Sequence, residues 1–211
     1  MNDAGNERLC IGSYDPDEAL VAATGADGRA RVRVARPPST AVVLGRSSRP
    51  RTELHLDQCL ADGVALRRRR GGGCSVVLDP GNVVVAAAVT TPGLKVSDHF
   101  ARLSEWLIQG LVQAGVASVE RRDVSDMCLG DRKVGGACMF RGRALLLYSA
   151  SLLVEPDLGL MDRYLRHPPR EPPYRQGRAH RDFVTTLHGT SGISADRLTA
   201  RLRSALAPPT L

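Results

Sequence analysis

The amino-acid sequence predicts an α+β fold, a mixed β-sheet sandwich with flanking helices. Strand-like segments occur next to each other along the chain, and several are separated only by strong turn signals. Two longer segments carry apolar residues at helical spacing. Strands grouped in this way, rather than alternating strictly with helices, are typical of mixed sheets. The 211 residues are 43% hydrophobic and only 4% aromatic, so we expect one catalytic domain, residues 1–211, with an aliphatic core.

The first half of the chain is predicted to consist mainly of strands. The segment 31–34 alternates as a half-buried strand does, and 41–44 is a short apolar run that ends at Gly45. A third strand at 64–68 leads into three glycines. The segments 75–78 and 83–90 flank the turn Asp-Pro-Gly-Asn, which predicts that they form a hairpin.

The second half of the chain adds helices and another hairpin. Ser97 is a good N-cap for a helix that runs to about Ala114, with Gly115 closing it; its apolar face carries Phe100, Leu103, Leu107 and Leu111. A second hairpin is predicted between 133–140 and 144–154, with its turn at 141–143 and with both faces of its apolar second strand covered. Four prolines between 168 and 173 predict a long loop. Ser194 is predicted to cap a final helix over about 194–207, with leucines at 198, 202 and 206.

Cysteine content and hydropathy predict a soluble, cytoplasmic protein without a membrane partner. Residues 1–7 are polar and acidic, unlike a signal peptide. The most apolar stretch, 144–154, is far shorter than the about 20 residues that span a bilayer. The five cysteines are widely spaced, so we expect free thiols. The sequence has no C-x-x-C motif and no cluster of histidines, so a zinc site is not predicted.

The net charge of +7 predicts an anionic ligand or partner. Nucleic acid, an acidic protein and an anionic substrate all fit a positive surface. The scarcity of aromatic residues argues against single-stranded nucleic acid, which stacks on exposed rings.

The strongest local motif is RRRRGGG at residues 67–73. Three glycines let the backbone approach a ligand closely and permit positive-φ turns in which N–H groups converge on an anion. Neighbouring arginines suit phosphate and carboxylate. A flexible basic surface turn is the alternative interpretation. A Walker motif and a Rossmann fingerprint are both absent, so a nucleotide would be bound in another way.

A second motif, SDMCLGDRKVGG, occupies residues 125–136. Lys133 opens a predicted strand before Gly135 and Gly136, where a mobile cation can lie against a ligand. Asp126 is a candidate magnesium ligand. Taken alone, either residue also fits an exposed hairpin with a solvated lysine and a capping aspartate.

The two motifs in this order resemble the lipoate–protein ligase family of the biotin/lipoate ligase superfamily. In that family an Arg-Arg-x-Ser-Gly-Gly-Gly loop precedes an Asn-Asp … Gly-x-Lys-x-Ser-Gly segment. The strand ending in Gly45-Arg46 and the segment 174–187 are also similar, so the resemblance covers roughly residues 30–190. This chain departs from the pattern where Arg70 replaces the serine, Ser125 the asparagine and Gly135-Gly136 the Ser-Gly.

The resemblance implies an ATP-dependent ligase that converts lipoate to lipoyl-AMP and transfers the lipoyl group to a carrier lysine. Lys133 would contact the acyl carbonyl and α-phosphate, and Asp126 would lie near the nucleotide or its Mg²⁺. The remaining residues implied to bind the acyl end or the adenylate are Arg68, Gly71, Gly72, Gly73, Cys74, Gly135 and Gly136. Biotin ligases share the fold, but the Arg-Arg and Gly-x-Lys pairing favours lipoate.

Three alternatives stay open at this point. An octanoyl or lipoyl transferase would form a thioester on a cysteine, for which Cys128, Cys138 and Cys74 are candidates. A non-catalytic binding protein of the same fold is the second alternative. A nucleic-acid-binding domain, suggested by the charge alone, is the third.

The resemblance also implies a partner. Six arginines lie between residues 163 and 181 against one acidic residue, Glu171, which predicts either a solvated loop or a dock for an acidic lipoyl carrier. The chain ends too soon after the motifs to hold the small C-terminal domain of many lipoate ligases. We therefore expect that domain to be a separate polypeptide or to be dispensable.

Overall fold

The computed structural model describes residues 9–90, 96–142 and 145–210, and it confirms the predicted mixed α+β class. Its strands are β1 (Gly12–Ser13), β2 (Arg31–Ala35), β3 (Ala41–Leu44), β4 (Ala65–Arg68), β5 (Val76–Leu78), β6 (Asn82–Thr90), β7 (Glu120–Arg122), β8 (Asp126–Leu129), β9 (Arg132–Arg141) and β10 (Leu145–Leu153). Its helices are α1 (Glu18–Asp27), α2 (Pro50–Glu53), α3 (Leu56–Ala61), α4 (Val96–Gln113), α5 (Gly159–Tyr164), α6 (His180–Phe183), α7 (Leu187–Ser191) and α8 (Ala195–Ala205).

The strands form two sheets. A four-stranded sheet has the order β1-β4-β3-β5, and an antiparallel six-stranded sheet has the order β2-β6-β10-β9-β8-β7. Val43 and Leu78 of the small sheet pack on Val84 of the large one, so the inner faces of the two sheets meet there. The predicted sandwich is therefore present.

Helices cover the outer faces of both sheets. Leu103, Leu107 and Leu111 of α4 pack with Leu198 and Leu202 of α8 in the core against the large sheet. On the small sheet, a second core joins β3 and β4 to α3, α5 and α6. Helices α2 and α3 also provide the crossover that parallel pairing of β3 with β4 requires.

The predicted helix ends are confirmed where the structure describes them. Gly115 follows α4 with φ +85°, and its N–H donates to the Val112 carbonyl. The Ser194 hydroxyl accepts a hydrogen bond from Arg197 N and caps α8. Helix α4 begins at Val96, one residue before the predicted cap Ser97, whose side chain lies outside the described part of the structure. Residues 143 and 144 also lie outside it. Within the described ranges, no helix is both long enough and apolar enough to cross a membrane.

The hairpin predicted for 75–78 and 83–90 is wrong. The turn exists: the Asp79 carboxylate accepts from Gly81 N, and Asp79 N donates to the Asn82 side chain. The chain, however, passes here from one sheet to the other. β6 is flanked by β2 and β10, which occupy both of its edges, and β5 pairs with β3 instead.

The hairpin of β9 and β10 is confirmed, but the prediction that both faces of β10 are covered is wrong. Tyr148 and Leu152 face the core and are fully buried. Ser149 and Ser151 alternate with them, face the small sheet and remain half-buried. This inner face of β10 is left open because a cleft lies above it.

Candidate active site

A cleft of about 620 Å³ lies between the inner faces of the two sheets. Its volume falls in the range of roughly 300–1,000 Å³ that small-molecule sites occupy. The floor is formed by β9 and β10, one wall by the segment after β4, and the rim by the proline-rich segment, residues 168–179. Predicted site residues from both sequence motifs line it: Gly73, Cys74, Asp126, Lys133, Gly135 and Gly136.

The triple glycine forms a tight crossing next to β9. A Cβ on Gly71 would lie 2.7 Å from the Cys138 Sγ, so any larger residue would force this part of the structure to shift. Gly73 has φ +89°, a conformation that favours glycine. Gly72 borders open space. The loop therefore approaches the cleft floor closely, and Gly73 is the member of the triplet that lines the cleft.

Arg69, which sequence reasoning passed over, holds this loop in shape. Its guanidinium donates to the carbonyls of Val43 (3.0 Å), Gly72 (2.7 Å) and Cys74 (2.8 Å). Four consecutive arginines look alike in the sequence, so no local signal distinguishes it. Because Arg69 also lines the cleft, it joins the loop to the site.

Arg68, the arginine that the family resemblance selected, has other contacts in this structure. Its Nη1 donates to the carbonyls of Gly45 (2.8 Å), Arg46 (3.2 Å) and Ser48 (3.0 Å). These bonds secure the turn after β3. A direct contact of Arg68 with a ligand stays a prediction, and it would require the guanidinium to share or leave these carbonyls.

Lys133 and Asp126 form an ion pair in the cleft, with the Nζ 2.7 Å from the Asp126 Oδ1. They come together because β8 and β9 are antiparallel neighbours with a register shift between Met127 and Cys128. A Cβ on Gly136 would lie 3.0 Å from the Lys133 Nζ, so this glycine leaves room for the ammonium group. The cation is thus held at the cleft floor while its side chain is 28% exposed.

Tyr174, a second residue that sequence reasoning did not select, completes this network. Its hydroxyl donates to the Asp126 Oδ2 at 2.7 Å and lies 3.3 Å from the Cys128 Sγ. Burial, Cys128 and the Asp126 carboxylate raise the pKa of Tyr174, so the phenol keeps its proton. Tyr174 thereby fastens the proline-rich segment to the cleft floor.

The described residues do not fit a preformed magnesium site at Asp126. The carboxylate is 5% exposed, and both oxygens already accept hydrogen bonds: Oδ1 from Lys133 and Ser125, Oδ2 from Tyr174. Within the described part of the chain, no three His, Cys, Asp or Glu side chains are grouped to hold a metal ion. The geometry assigns Asp126 to the positioning of Lys133, and metal binding there stays a prediction.

The three cysteines near the cleft are poorly suited to nucleophilic catalysis. All five cysteines are free, as predicted. Burial is the largest effect at Cys74, Cys128 and Cys138, and it raises the pKa of each thiol. Since the thiolate is the reactive form, burial disfavours a thioester mechanism at these positions.

Most arginines between 163 and 181 have intramolecular partners, although Arg163 and Arg181 are exposed. Arg163 pairs with Asp62, Arg178 with Asp131 and Arg181 with Asp162. Arg166 donates to the Leu54 carbonyl. Arg170 is exposed at the cleft rim and Arg175 is buried. Most of these arginines thus have partners within the chain, and docking of an acidic carrier on this segment stays a prediction.

A family model for the lipoyl protein ligase A/B catalytic domain matches residues 14–207. Among curated proteins, lipoate-protein ligase A subunit 1 of Thermoplasma acidophilum is 24% identical over 74% of this chain and 63% of its own length. Lipoate-protein ligase A of Psychrobacter cryohalolentis is 31% identical over 62% of this chain and 37% of its own. The human mitochondrial lipoyl amidotransferase is 27% identical over 62% of this chain and 35% of its own. The chain therefore spans less than two thirds of these relatives.

Solved structures show the same fold. The bipartite lipoate protein ligase of Thermoplasma acidophilum, described with its E2 lipoyl domain, superposes with a TM-score of 0.77 at 21% identity, covering 90% of this chain and 74% of that one. A lipoate-protein ligase A bound with ATP gives a TM-score of 0.75 at 22% identity, covering 90% and 76%. A Thermoplasma acidophilum protein with bound lipoic acid gives 0.74 at 22% identity, with the same coverage.

Proposed function

The chain belongs to the lipoyl protein ligase A/B catalytic-domain family, and on this premise we propose that it is an ATP-dependent lipoate–protein ligase. It would activate lipoate as lipoyl-AMP and transfer the lipoyl group to a lysine of a carrier protein. The observation that carries the proposal is the convergence of Gly73 and Lys133 on one cleft, although they lie 60 positions apart in the sequence.

The chemistry of this reaction matches what the cleft supplies. A carboxylate oxygen of lipoate attacks the α-phosphorus of ATP, and the bond to pyrophosphate breaks. The carrier amine then attacks the acyl carbonyl, AMP leaves, and the amine loses a proton. Negative charge develops on phosphate and carbonyl oxygens in these steps, and a preorganised cation such as Lys133 stabilises it.

The ion pair with Asp126 supports this role for Lys133. A lysine side chain is flexible, and a fixed carboxylate at 2.7 Å limits where its ammonium group can lie. Preorganisation of this kind removes the need to reorient the donor as charge develops.

Two neighbouring structures support the choice of substrates. One of these proteins is described as bound with ATP and another with lipoic acid. ATP would be supplied as its magnesium complex, since Mg²⁺ binds through phosphate oxygens with few protein ligands. The free thiols fit a reducing cytoplasm as the site of the reaction.

A lipoyl transferase that uses no ATP is the second candidate. It is favoured by the similarity to the human protein named a lipoyl amidotransferase. A cysteine thioester is disfavoured by the raised pKa of Cys74, Cys128 and Cys138. A direct transfer to an amine would still be compatible with the same cleft.

We propose an acidic lipoyl carrier domain as the partner, because this chain carries a net charge of +7. The bipartite Thermoplasma ligase supports a second polypeptide as a further partner.

The decisive experiment is an intact-mass measurement of a lipoyl carrier domain after incubation with this protein, lipoate and Mg·ATP. The expected result is one lipoyl adduct per carrier, with matching pyrophosphate release. Adding the separate accessory polypeptide tests whether transfer depends on it. Transfer from a lipoylated donor without ATP, and without pyrophosphate release, would instead establish the transferase. Binding of lipoate without either reaction would establish a binding protein.

A further inference from the structure

Arg175 is a buried cation at the rim of the cleft. It ends the 3₁₀ turn Pro173–Arg175, is 4% exposed and lines the cleft. Its guanidinium lies over the Phe183 ring at 4.8 Å. Left-handed conformations at Gln176 and Gly177, with φ +54° and +71°, turn the chain sharply just after it. The local backbone therefore holds this side chain inward.

The hydrogen bonds of Arg175 are incomplete. Its Nε donates to the Arg178 carbonyl at 3.0 Å and lies 3.4 Å from the Glu171 Oε2. Its Nη2 is buried and has no hydrogen-bond partner among the described residues. A buried charged donor without a partner is costly, so such groups are usually explained by a ligand or an ion.

Glu171 compensates this charge only in part. Its Oε2 lies 2.8 Å from the His167 Nε2, and its Oε1 accepts a hydrogen bond from Gly177 N. The carboxylate is thus shared among three groups, and its contact with Arg175 is the longest of them. The guanidinium is left with donor capacity that the resting protein does not use.

Several charged and polar groups around Arg175 belong to the cleft. Burial and Arg178 lower the pKa of Arg175, and Glu171, Cys74 and Asp126 oppose this shift only in part. Cys74 directly follows the triple glycine, and Asp126 holds Lys133. Arg175 therefore lies near both of the motifs that the sequence analysis selected.

We propose that Arg175 binds the substrate directly: its Nη2 donates to an oxyanion of the molecule in the cleft. The oxyanion is either a nucleotide phosphate or the acyl carboxylate, both of which accept from a guanidinium. Which of the two oxyanions binds rests on the proposed function, whereas the presence of an anion subsite at Arg175 does not. The ligand would complete the hydrogen bonds of Arg175 and attach the proline-rich segment to the occupied site.

The test compares anionic ligands with neutral analogues. Binding of ATP, adenosine, lipoate, lipoamide and inorganic pyrophosphate is measured by calorimetry for the wild-type protein, Arg175→Met and Arg175→Lys. We expect Arg175→Met to weaken binding of at least one anionic ligand about 10- to 100-fold, the scale of a hydrogen bond to a charged group. Its neutral analogue should change less than about twofold. Weaker binding of ATP and pyrophosphate would identify a phosphate as the group that Arg175 binds. Weaker binding of lipoate would identify the carboxylate.

Arg178→Met is the matched control. Arg178 lies over the same Phe183 ring at 5.4 Å, but its donors are used by Asp131, Tyr174 and the Arg175 carbonyl. Its loss should weaken anionic and neutral ligands equally. Arg175→Lys retains the charge in a smaller head group and keeps the comparison available if Arg175→Met fails to fold.

If Arg175→Met weakens binding of charged and neutral ligands equally, Arg175 only holds the proline-rich segment in place, and the proposal is overturned. No change in any ligand, or no anion bound by the wild-type protein, would also overturn the proposal. Arg175-dependent anion binding without pyrophosphate release would keep the subsite and reject the ligase function.

Discussion

Among single residues, Lys133 has the largest expected effect on catalysis. It is fixed by Asp126 at 2.7 Å, and Gly136 leaves space beside its Nζ. Asp126 is in turn held by Tyr174 and Ser125. Substitution of Lys133 should affect the reaction directly, whereas substitution of Asp126 or Tyr174 should act by displacing the Lys133 ammonium group.

Lys133→Ala should lower turnover about 10²-fold or more, because one preorganised charge-stabilising donor is lost. Asp126 retains hydrogen bonds from Tyr174 and Ser125, so thermal unfolding should change little. Pyrophosphate release and carrier mass measure turnover, and circular dichroism checks the fold. Near-normal turnover would remove Lys133 from the reaction.

The cysteines should be dispensable. Cys74→Ser, Cys128→Ser and Cys138→Ala should each retain most activity, because burial raises the pKa of each thiol and leaves little thiolate near neutral pH. Alkylation of the native protein should modify the exposed Cys10 first. An acyl-enzyme adduct trapped on Cys74, Cys128 or Cys138, seen by mass spectrometry, would contradict the ligase mechanism.

At the scale of elements, the glycine loop allows two neighbouring positions to be compared. Gly71→Ala should destabilise the protein by about 1–3 kcal/mol, the usual cost of overpacking, because its Cβ would lie 2.7 Å from the Cys138 Sγ. Gly72→Ala, which borders open space, is the control and should leave stability nearly unchanged. Urea unfolding measures both. Adding Cys138→Ala should partly restore Gly71→Ala, since it removes the sulfur atom.

The contact between α3 and α5 should depend on pH. Arg163, and then Tyr164, lower the pKa of Asp62 from its usual 3.8 to about 2. A carboxylate with a depressed pKa in the folded state stabilises the protein above its unfolded pKa, and the contribution is lost as pH falls through the folded one. Asp62→Asn should therefore lower the melting temperature near neutral pH, and its difference from wild type should shrink between about pH 4 and pH 2. The exposed Glu120→Gln is the control, and a pH-independent difference for Asp62→Asn would contradict this assignment.

At the scale of the whole molecule, we expect the net charge of +7 to act on encounter with the proposed acidic carrier. Because exposed charges are screened by salt, the KM for an acidic carrier should rise with ionic strength. Arg170→Ser, exposed at the cleft rim, should raise this KM more than Arg163→Ser, whose guanidinium is paired with Asp62. The measurement is carrier mass against carrier concentration at low and high salt. If the KM does not change with salt concentration, the positive charge is only solvated surface charge and does not contribute to carrier binding.

The sequence by itself determined the local elements and the chemical character of the site. Periodicity located β2, β3, α4, α8 and the β9–β10 hairpin, because such patterns depend on which side of an element is apolar. The two motifs selected Gly73 and Lys133 because glycine backbone and lysine suit anions, and Asp126 as a candidate magnesium ligand; all three line the cleft.

Only the tertiary structure decided which strands pair and which of the neighbouring arginines, Arg68 or Arg69, lines the cleft. The turn at 79–82 has the same local sequence signal whether its strands pair or separate, and the strands on both edges of β6 exclude β5. Arg68 and Arg69 are equivalent as letters, but their different carbonyl partners lie in distant segments. Tyr174 and Arg175 join the site because the proline-rich segment folds back over the cleft. These outcomes depend on contacts between residues far apart in the chain, which local sequence patterns do not specify.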